Sequence, residues 1–365
     1  MISPSFTLVI LLAFFISTII FSFLINGLLL KFSSNMGLRN LPEGMIRWTN
    51  LQKPSLGGIS FFIIYLISVV VGLFITKNEE LLTGAKFFGQ LATISIAFIL
   101  GLSDDAYDTK PLLKLIVQIS CGLILLFTGT QIELFESNLL NSILTVLWIV
   151  GLMNSINMLD NMDAITTVVS IGVFVACLFV LFLQFSSNNI YLTISLGMIG
   201  GLLGFLFYNW NPSKIFMGDT GSQLLGSLTA IVGIEFLWNN PGIFEDHIAS
   251  RHIILVLLVF ILPITDTTTV VINRLMRKQS PFVGGKDHTT HNLSYIGLSD
   301  SQVAFVFLFI SLLSPLIMLV IMIYIQQWKT LYTFLFGFYI LLIFLSLYGL
   351  TVYNKNKRNH ERKNK

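Results

Sequence analysis

Residues 84–105 read GAKFFGQLATISIAFILGLSDD, a run of apolar residues that ends in two adjacent aspartates. Its length is close to the roughly 20 apolar residues that a helix needs to cross a bilayer. The whole chain has the same character, because 55% of its 365 residues are hydrophobic and only 11% are charged, against about 25% charged residues in a typical soluble domain. The sequence therefore predicts an all-α, polytopic membrane protein.

The same criterion of about 20 apolar residues per helix divides the chain into about eleven predicted membrane spans. They are 6–30, 57–76, 84–103, 111–130, 138–157, 164–185, 190–209, 219–238, 252–275, 302–326 and 329–353. We expect residues 1–353 to form a single integral-membrane catalytic domain. Residues 354–365 are expected to form a basic, disordered cytoplasmic tail that is attracted to anionic lipid.

The orientation follows from the basic residues, which are enriched in cytoplasmic loops. With the N-terminus outside and the C-terminus in the cytoplasm, the cytoplasmic side carries all 21 Lys and Arg residues except Lys77, Lys86, Arg251 and Lys329. The acid-bearing loops then all fall on the cytoplasmic face. Lys53 and Lys114 lie on that face as candidate phosphate contacts, although a loop lysine is usually a topology signal and nothing more.

The third predicted span ends in a pair of acids, Asp104 and Asp105, followed by Asp108. Two adjacent carboxylates at the end of a membrane helix repel one another unless a cation or a proton relieves them. Oxygen ligands of this kind suit Mg²⁺ or Mn²⁺, whereas ordinary loop acids are the simpler interpretation. Because the next helix starts at Pro111, a turn or capping role for Asp108 is as well supported as a catalytic one.

A second polar segment joins the fifth and sixth spans and contains Asn154, Asn157, Asp160 and Asp163. At helical spacing, Asn157 shares a face with Asp160, and Asp160 shares a face with Asp163. Local Asx turns are the alternative interpretation. The apolar residues between these positions favour a polar stripe that points into one cavity.

The third segment, Phe216-Met-Gly218-Asp219-Thr-Gly-Ser222, comes immediately before the eighth span. Glycine permits close backbone approach, and the free amides at a helix N-terminus can bind phosphate. An Asp at the start of a helix is also a common N-cap. Taken alone, the segment predicts either phosphate binding or capping.

Two histidines, His288 and His291, lie with Lys286 and Asp287 in the longest predicted cytoplasmic loop. Two His residues at this spacing resemble half of a zinc site, but Asp287 alone is a poor third ligand and no Cys accompanies them. We therefore expect Lys286 and the two histidines to contact phosphate or sugar hydroxyls rather than a metal.

Five motifs occur in the order found in one family of membrane enzymes. They are Gln52-Lys53-Pro54-Ser-Leu-Gly-Gly58, Gly101-Leu-Ser-Asp104-Asp105 with Lys114 and Gln118, Asn154-Ser-Ile-Asn157-Met-Leu-Asp160, Phe216-Met-Gly218-Asp219-Thr-Gly-Ser222, and Pro263-Ile-Thr-Asp266 with Arg274. The chain resembles the polyprenyl-phosphate N-acetylhexosamine-1-phosphate transferases of glycosyltransferase family 4. These include UDP-GlcNAc:undecaprenyl-phosphate transferases and, more distantly, phospho-N-acetylmuramoyl-pentapeptide transferases.

The resemblance implies a Mg²⁺-dependent transfer, with Mn²⁺ as a possible substitute. A sugar-1-phosphate, with GlcNAc-1-phosphate as the first choice, would be transferred from a UDP-sugar to undecaprenyl phosphate, and UMP would be released. This reaction would be the first membrane step of cell-envelope polysaccharide synthesis. By family match, Asp219 and Asn157 are the expected metal ligands, and Asp104 and Asp105 are the catalytic acids that hold or deprotonate the lipid phosphate. The expected substrate contacts are Lys53, Lys114, Asn154, Asp160, Asp163, Gly218, Lys286, His288 and His291.

The expected partners are a UDP-sugar donor, a polyprenyl phosphate acceptor and the lipid bilayer, with a homodimer as a further expectation. The net charge of +3 does not indicate nucleic-acid binding, because the Lys and Arg residues are spread over loops and the tail rather than forming one patch. The expected location is the inner (plasma) membrane, with the active site on the cytoplasmic face.

Two alternatives belong to other functional classes. A phospho-N-acetylmuramoyl-pentapeptide transferase of peptidoglycan synthesis would use the same motifs on another donor. A secondary transporter would place its carboxylates near the bilayer midplane, whereas these acids lie at span ends. A CDP-alcohol phosphotransferase is disfavoured, because the chain lacks the Asp-Gly-x-x-Ala-Arg element of those enzymes.

Two segments depart from the family pattern. Asn161 and Ala164 stand where the family usually has glycine, so the resemblance does not imply the backbone conformation of this loop. His288-Thr-Thr-His291 replaces the denser histidine cluster of many members. Because that stretch is tied to sugar choice in the family, the donor sugar stays open.

Overall fold

The structure is a computed structural model that describes residues 4–36, 53–76, 84–184, 189–239, 243–244, 247–280 and 285–363. Its helices are α1 (Pro4–Met36), α2 (Gly57–Thr76), α3 (Ala85–Tyr107), α4 (Pro111–Phe127), α5 (Asn138–Leu159), α6 (Ile165–Leu183), α7 (Ile190–Asn209), α8 (Gly218–Gly233), α9 (Ala249–Val259), α10 (Ile261–Met276), α11 (Thr289–Tyr295), α12 (Asp300–Tyr324) and α13 (Thr330–Lys363). A π-helical turn, Ile234–Trp238, continues α8. Each predicted span contains helix, so the all-α polytopic bundle is confirmed.

Nine helices within the described ranges are long and apolar enough to cross a membrane. α4 is apolar but has only 17 residues. The predicted span 252–275 is the main departure, because it is not one rod: α9 and α10 meet at Phe260 with a bend of 83°. Pro263, in the first turn of α10, has no amide proton to continue the hydrogen-bond ladder of α9, so the chain turns there.

The centre of the bundle is α8, of which 94% is buried, with α2, α3, α5 and α6 packed around it. Its sequence, GDTGSQLLGSLTAIVG, is rich in small residues, which let neighbouring helices approach closely in a membrane protein. The outermost long helices are α1 and α13, of which only 22% and 11% are buried. The start of α8 is therefore the point on which several other helices converge.

The expected disordered tail is wrong over its described part, since α13 continues as helix to Lys363. Asn354 anchors the start of this extension: it is 3% exposed, and its Nδ2 donates to the backbone oxygen and to Oδ1 of Asn292 over 2.9 and 3.1 Å. Asn292 lies in α11, a short helix inside the loop that carries the two histidines. The start of the tail is thus packed against that loop.

Candidate active site

The site is built around the first turn of α8, which two other segments approach at backbone distance. Phe216 donates its amide to Pro54 over 2.9 Å, and Gly57 and Gly58 donate theirs to Phe216 and Met217 over 3.1 and 3.0 Å. On the α3 side, a Cβ on Gly101 would lie 2.2 Å from the backbone oxygen of Asp219. The glycines of both sequence motifs therefore serve close packing against α8.

Asp105 caps α8 from the end of α3. Its Oδ1 accepts from the amide of Asp219 over 3.1 Å, and its Oδ2 accepts from the amide and hydroxyl of Thr220 over 2.8 and 2.6 Å. Gly218 makes this contact possible: its φ is +72°, and a Cβ there would lie 2.6 Å from Asp105 Oδ2. For Gly218, predicted to contact substrate, the structure thus shows a conformational role, and Asp105 positions the helix start.

Asp104 lies beside Asp105 and is buried. Its Oδ1 accepts from the amide and hydroxyl of Thr109 over 2.8 and 2.7 Å, and its Oδ2 pairs with Lys114. Lys114 Nζ also lies 3.9 Å from Asp219 Oδ2, so the lysine bridges the two carboxylates. Asp108 is exposed and ends α3 in the left-handed conformation, which supports the turn interpretation for that residue.

Asp219 is more accessible than Asp104, since its side chain is 37% exposed and that of Asp104 is 3% exposed. Asn157, at the end of α5, donates from Nδ2 to Asp219 Oδ1 over 2.6 Å and to Ser222 Oγ over 2.9 Å. The two residues predicted as metal ligands are therefore direct neighbours, although they are 62 positions apart. Ser222 was part of the sequence motif, but only the structure shows that it orients Asn157.

The donor set fits Mg²⁺ better than zinc. Among the described residues, no group of three or more His, Cys, Asp or Glu side chains is arranged to hold a metal ion by itself. Mg²⁺ is bound by one or two carboxylates together with substrate phosphates, and Asp219 supplies an exposed carboxylate. The Asn157 amide can present its oxygen after a simple rotation. The site therefore suits a metal that arrives with a phosphorylated substrate.

A second group of side chains surrounds the predicted histidines. Asp266 of α10 is fully buried; its Oδ2 lies 2.8 Å from His288 Nδ1, and its Oδ1 accepts from the amide and hydroxyl of Thr289 over 2.8 and 2.6 Å. This carboxylate fixes the histidine ring and the start of α11. The sequence did not predict a role for Asp266. Its place in the motif Pro263-Ile-Thr-Asp266 was the feature that could have identified it.

The group around α11 adjoins the carboxylates through the loop after α5. Thr290 donates to Asn161 Oδ1 over 2.5 Å, and Asn161 lies only four residues after Asn157. Burial lowers the pKa of His291 to about 3, and the nearby His288 acts in the same direction, so His291 is neutral at physiological pH. The predicted histidines therefore lie at the same end of the bundle as Asp219.

Asp287 and Arg274 form an ion pair next to His288. Arg274 donates from Nη2 to Asp287 Oδ1 over 2.8 Å and from Nε to Oδ2 over 3.2 Å. Burial alone would raise the pKa of Asp287, but the hydrogen bonds and charge of Arg274 outweigh it and hold that pKa below its usual value. Lys286, the neighbouring residue, is exposed.

Asp163 and Lys53 lie in a different arrangement from the one predicted. Asp163 is buried and accepts from the amide and hydroxyl of Ser213 over 2.9 and 2.7 Å and from Asn211 over 3.0 Å. Lys53 Nζ donates to Ser213 over 2.9 Å and lies 3.7 Å from Asp163 Oδ2. Both residues therefore belong to a hydrogen-bonded cluster that holds the loop before α8. Their substrate contacts stay predictions.

Asp160 and Asn154 complete the predicted set. Asp160 ends α5, and its amide donates to the backbone oxygen of Asn157 over 3.2 Å; along the chain it directly precedes Asn161. Asn154 instead points one turn deeper and donates to Gln118 over 2.7 Å. Its predicted substrate contact stays a prediction.

Ala164 keeps the backbone conformation that glycine would give. Its φ is +67° and its ψ is −15°, in the left-handed region that non-glycine residues rarely adopt. The amide of Ala164 donates to Asn209 Oδ1 over 3.1 Å, and Thr167 donates to the same oxygen over 2.8 Å. Asn209 therefore holds the loop in a glycine-like turn although glycine is absent.

Comparisons with known proteins agree with this geometry. Residues 87–237 match the family model of glycosyl transferase family 4. A Bacillus subtilis (strain 168) protein, described as a probable undecaprenyl-phosphate N-acetylglucosaminyl 1-phosphate transferase, is 30% identical over 80% of this chain and 79% of its own length. The phospho-N-acetylmuramoyl-pentapeptide-transferase of Staphylococcus carnosus (strain TM300) is 30% identical over 61% of this chain and 74% of its own length.

A second pentapeptide transferase, from Streptococcus agalactiae serotype III (strain NEM316), is 31% identical over 50% of this chain and 59% of its own length. The Bacillus relative covers most of both chains, and the motifs that carry the likeness are those that meet around the start of α8. The chain therefore belongs to the polyprenyl-phosphate N-acetylhexosamine-1-phosphate transferases of glycosyl transferase family 4.

Proposed function

We propose that this membrane protein transfers GlcNAc-1-phosphate from UDP-GlcNAc to undecaprenyl phosphate and releases UMP. The observation that carries the proposal is the convergence of Asp219, Asn157, Asp104 and Lys114 at one end of the helical bundle. A water-soluble donor and a lipid acceptor can meet only at a membrane surface, and a site at the ends of membrane helices meets that requirement. The Bacillus relative, whose name describes this reaction, supports the choice of donor and acceptor.

In this reaction an oxygen of the lipid phosphate forms a bond to the sugar-linked phosphorus, and the bond from that phosphorus to UMP breaks. Asp219 and Asn157 would hold Mg²⁺, which neutralises the pyrophosphate and makes UMP a better leaving group. Lys114, held by Asp104, is placed to offset the remaining phosphate charge. Since a phosphate monoester has a second pKa near 6, the acceptor is largely ionised at neutral pH and needs positioning more than deprotonation.

Asp105 and the α11 group have supporting parts in this scheme. Asp105 fixes the first turn of α8, and with it the direction of the Asp219 side chain. Lys286, His288 and neutral His291 can recognise the sugar or the nucleotide phosphates by hydrogen bonds, with His288 oriented by Asp266. Asp219 and Asn157 would therefore hold the metal, while the histidines would bind the donor.

The site is proposed to face the cytoplasm from the plasma membrane, as the Lys and Arg distribution predicts. A homodimer is part of the same proposal. The product would enter a cell-envelope polysaccharide pathway. Chemical labelling of cysteines introduced in the α11 loop, in intact cells and in inverted vesicles, tests the orientation. Labelling in intact cells by a membrane-impermeant reagent would contradict it.

The decisive test uses purified protein, undecaprenyl phosphate and radiolabelled donors. We expect UMP release and a lipid-linked product with UDP-GlcNAc, and much less of either with UDP-N-acetylmuramoyl-pentapeptide. The pentapeptide reaction is the second candidate, because two of the relatives carry that name. Turnover of the pentapeptide donor alone would favour it, and solute uptake without UMP release would favour a transporter.

A further inference from the structure

Three amide side chains form a hydrogen-bonded layer beneath the carboxylates. Gln118 of α4 and Gln223 of α8 are each 1% exposed, and Gln118 Nε2 donates to Gln223 Oε1 over 3.1 Å. Asn154 of α5 donates from Nδ2 to Gln118 Oε1 over 2.7 Å and to the backbone oxygen of Val150 over 2.8 Å. This amide layer, defined as Gln118, Asn154 and Gln223, joins three helices through uncharged side chains.

The amide layer repeats the arrangement of the site one helical turn deeper. Each amide stands three or four residues along its helix from a site residue: from Lys114 in α4, from Asn157 in α5 and from Asp219 in α8. Residues at this spacing share one face of a helix. α4 and α8 begin at the site, whereas α5 ends there, so all three amides are displaced in the same direction, into the bundle.

The amide layer fixes how the three helices are aligned. Apolar side chains alone tolerate small slides and rotations between helices, because their packing has no direction. A hydrogen bond between buried amides is directional, and a buried amide without a partner is strongly disfavoured. A slide of one residue would turn each amide away from its partners and would also separate the site residues one turn above.

Resting on the proposed function, we infer that the amide layer positions Lys114, Asn157 and Asp219 for the transfer reaction. The amides do not touch the reacting atoms, and they add no charge beneath the three carboxylates. Their part is to align α4, α5 and α8, so that side chains from three separate stretches of sequence meet within hydrogen-bonding distance. Disturbing them should lower the rate of the chemical step more than the binding of the donor.

The test replaces one glutamine at a time with methionine, which has a similar length and no hydrogen-bonding amide. For Gln118→Met and for Gln223→Met, we expect kcat to fall about 10- to 100-fold, because small misplacements of reacting groups have effects of this size. We expect KM for UDP-GlcNAc to change less than about threefold. Both values are measured per amount of folded protein, counted by size-exclusion chromatography.

Gln90→Met is the matched control. Gln90 is a buried amide of α3 at the other end of the bundle, where it donates to Thr130 over 3.1 Å and to Glu235 over 3.0 Å. If buried amides only stabilise the fold, all three variants will lose thermal stability and keep the kcat of the wild type per folded molecule. That result, or an equal loss of kcat in Gln90→Met, would contradict the inference.

The double variant Gln118→Met/Gln223→Met separates stability from alignment. Gln118→Met leaves Gln223 without its partner, whereas the double variant removes both glutamines and Asn154 loses Gln118 in either case. Thermal stability should therefore recover relative to Gln118→Met, while kcat should stay low. Recovery of kcat together with stability would overturn the inference. A wild-type protein that releases no UMP from any UDP-sugar would instead contradict the proposed function, and the inference would fall with it.

Discussion

The two ends of the antiparallel α3 and α8 pair carry similar side chains in different proportions. At one end, where α3 begins and the π-helical turn follows α8, Glu235 lies 2.8 Å from Lys86 and accepts from Gln90 over 3.0 Å. Tyr191 donates to the same Gln90 over 2.5 Å. Each of these polar groups has a hydrogen-bond partner, and the charge of Glu235 is balanced by that of Lys86.

At the other end there are more carboxylates than cations paired with them. Asp104, Asp105 and Asp219 converge, and Lys114 is shared between two of them. Unbalanced charge next to a membrane is expensive and is typical of functional sites. The difference teaches that polarity alone does not mark a site in this bundle: the balanced end joins helices, and the end with excess negative charge is prepared for a cation and phosphates.

The largest expected effect comes from removing divalent cations. We expect EDTA to abolish UMP release and added Mg²⁺ or Mn²⁺ to restore it, because the end with excess negative charge lacks a matching cation without them. The melting temperature should change little, since the fold is held by other contacts. Undiminished turnover after chelation would show that the carboxylates act without a metal.

Asp219→Asn should lower turnover by about 10³-fold, because it removes the carboxylate that would hold Mg²⁺, and with it the cation that would stabilise the negative transition state. The protein should still fold, since asparagine has nearly the same volume and can still accept from Asn157. Glu235→Gln makes the same chemical change at the balanced end, where we expect less than about a threefold effect on UMP release. Equal losses in the two variants would remove the functional distinction between the ends.

A moderate effect is expected from pH through His291, whose pKa in the folded protein is about 3. The unfolded chain, with an ordinary histidine pKa near 6.5, binds the proton more readily. The contribution of neutral His291 to the free energy of unfolding is therefore fully present above about pH 6.5. It decreases by about 1.4 kcal/mol per pH unit as the pH falls toward 3.

Melting temperatures at pH 7.5 and 5.5 check this expectation. The wild type should lose about 2 °C more than His291→Gln over this interval. Identical pH dependence in the two proteins would mean that His291 is not the buried neutral group responsible.

The smallest effect is expected at Ala164. In Ala164→Gly, relief of the left-handed backbone, worth about 1–2 kcal/mol, is offset by the greater freedom of the unfolded chain and by loss of a buried methyl group. The melting temperature should change by less than about 2 °C, with kcat unaltered. Ala164→Val should be clearly destabilising, because β-branched residues are poorly tolerated at positive φ. Equal stability of the two variants would contradict the strained turn.

The sequence was enough to place the spans, because each needs only length and apolar composition. It also grouped Asp219, Asn157, Asp104 and Lys114 at one face. It did not predict the bend at Phe260, because an apolar run gives the length of a segment and not its direction.

Individual roles were harder to predict than the group. Asp105 and Asp163 are both acids in polar loops, yet one caps α8 and the other holds the loop before it. These roles depend on backbone amides and hydroxyls contributed by distant segments, and such partners carry no signature in the local sequence. The glycine-like turn at Ala164 was missed for the same reason, since Asn209 is the residue that stabilises it.

The contact between Asn354 and α11 has a practical consequence for protein engineering. A shortened version that stops at Tyr353, or a purification handle fused directly there, would delete the side chain that holds Asn292. The histidine loop would then lose an anchor, and a preparation made in this way would report a weaker enzyme than the 365-residue chain. Handles are better placed at the far end of α13, beyond Lys363.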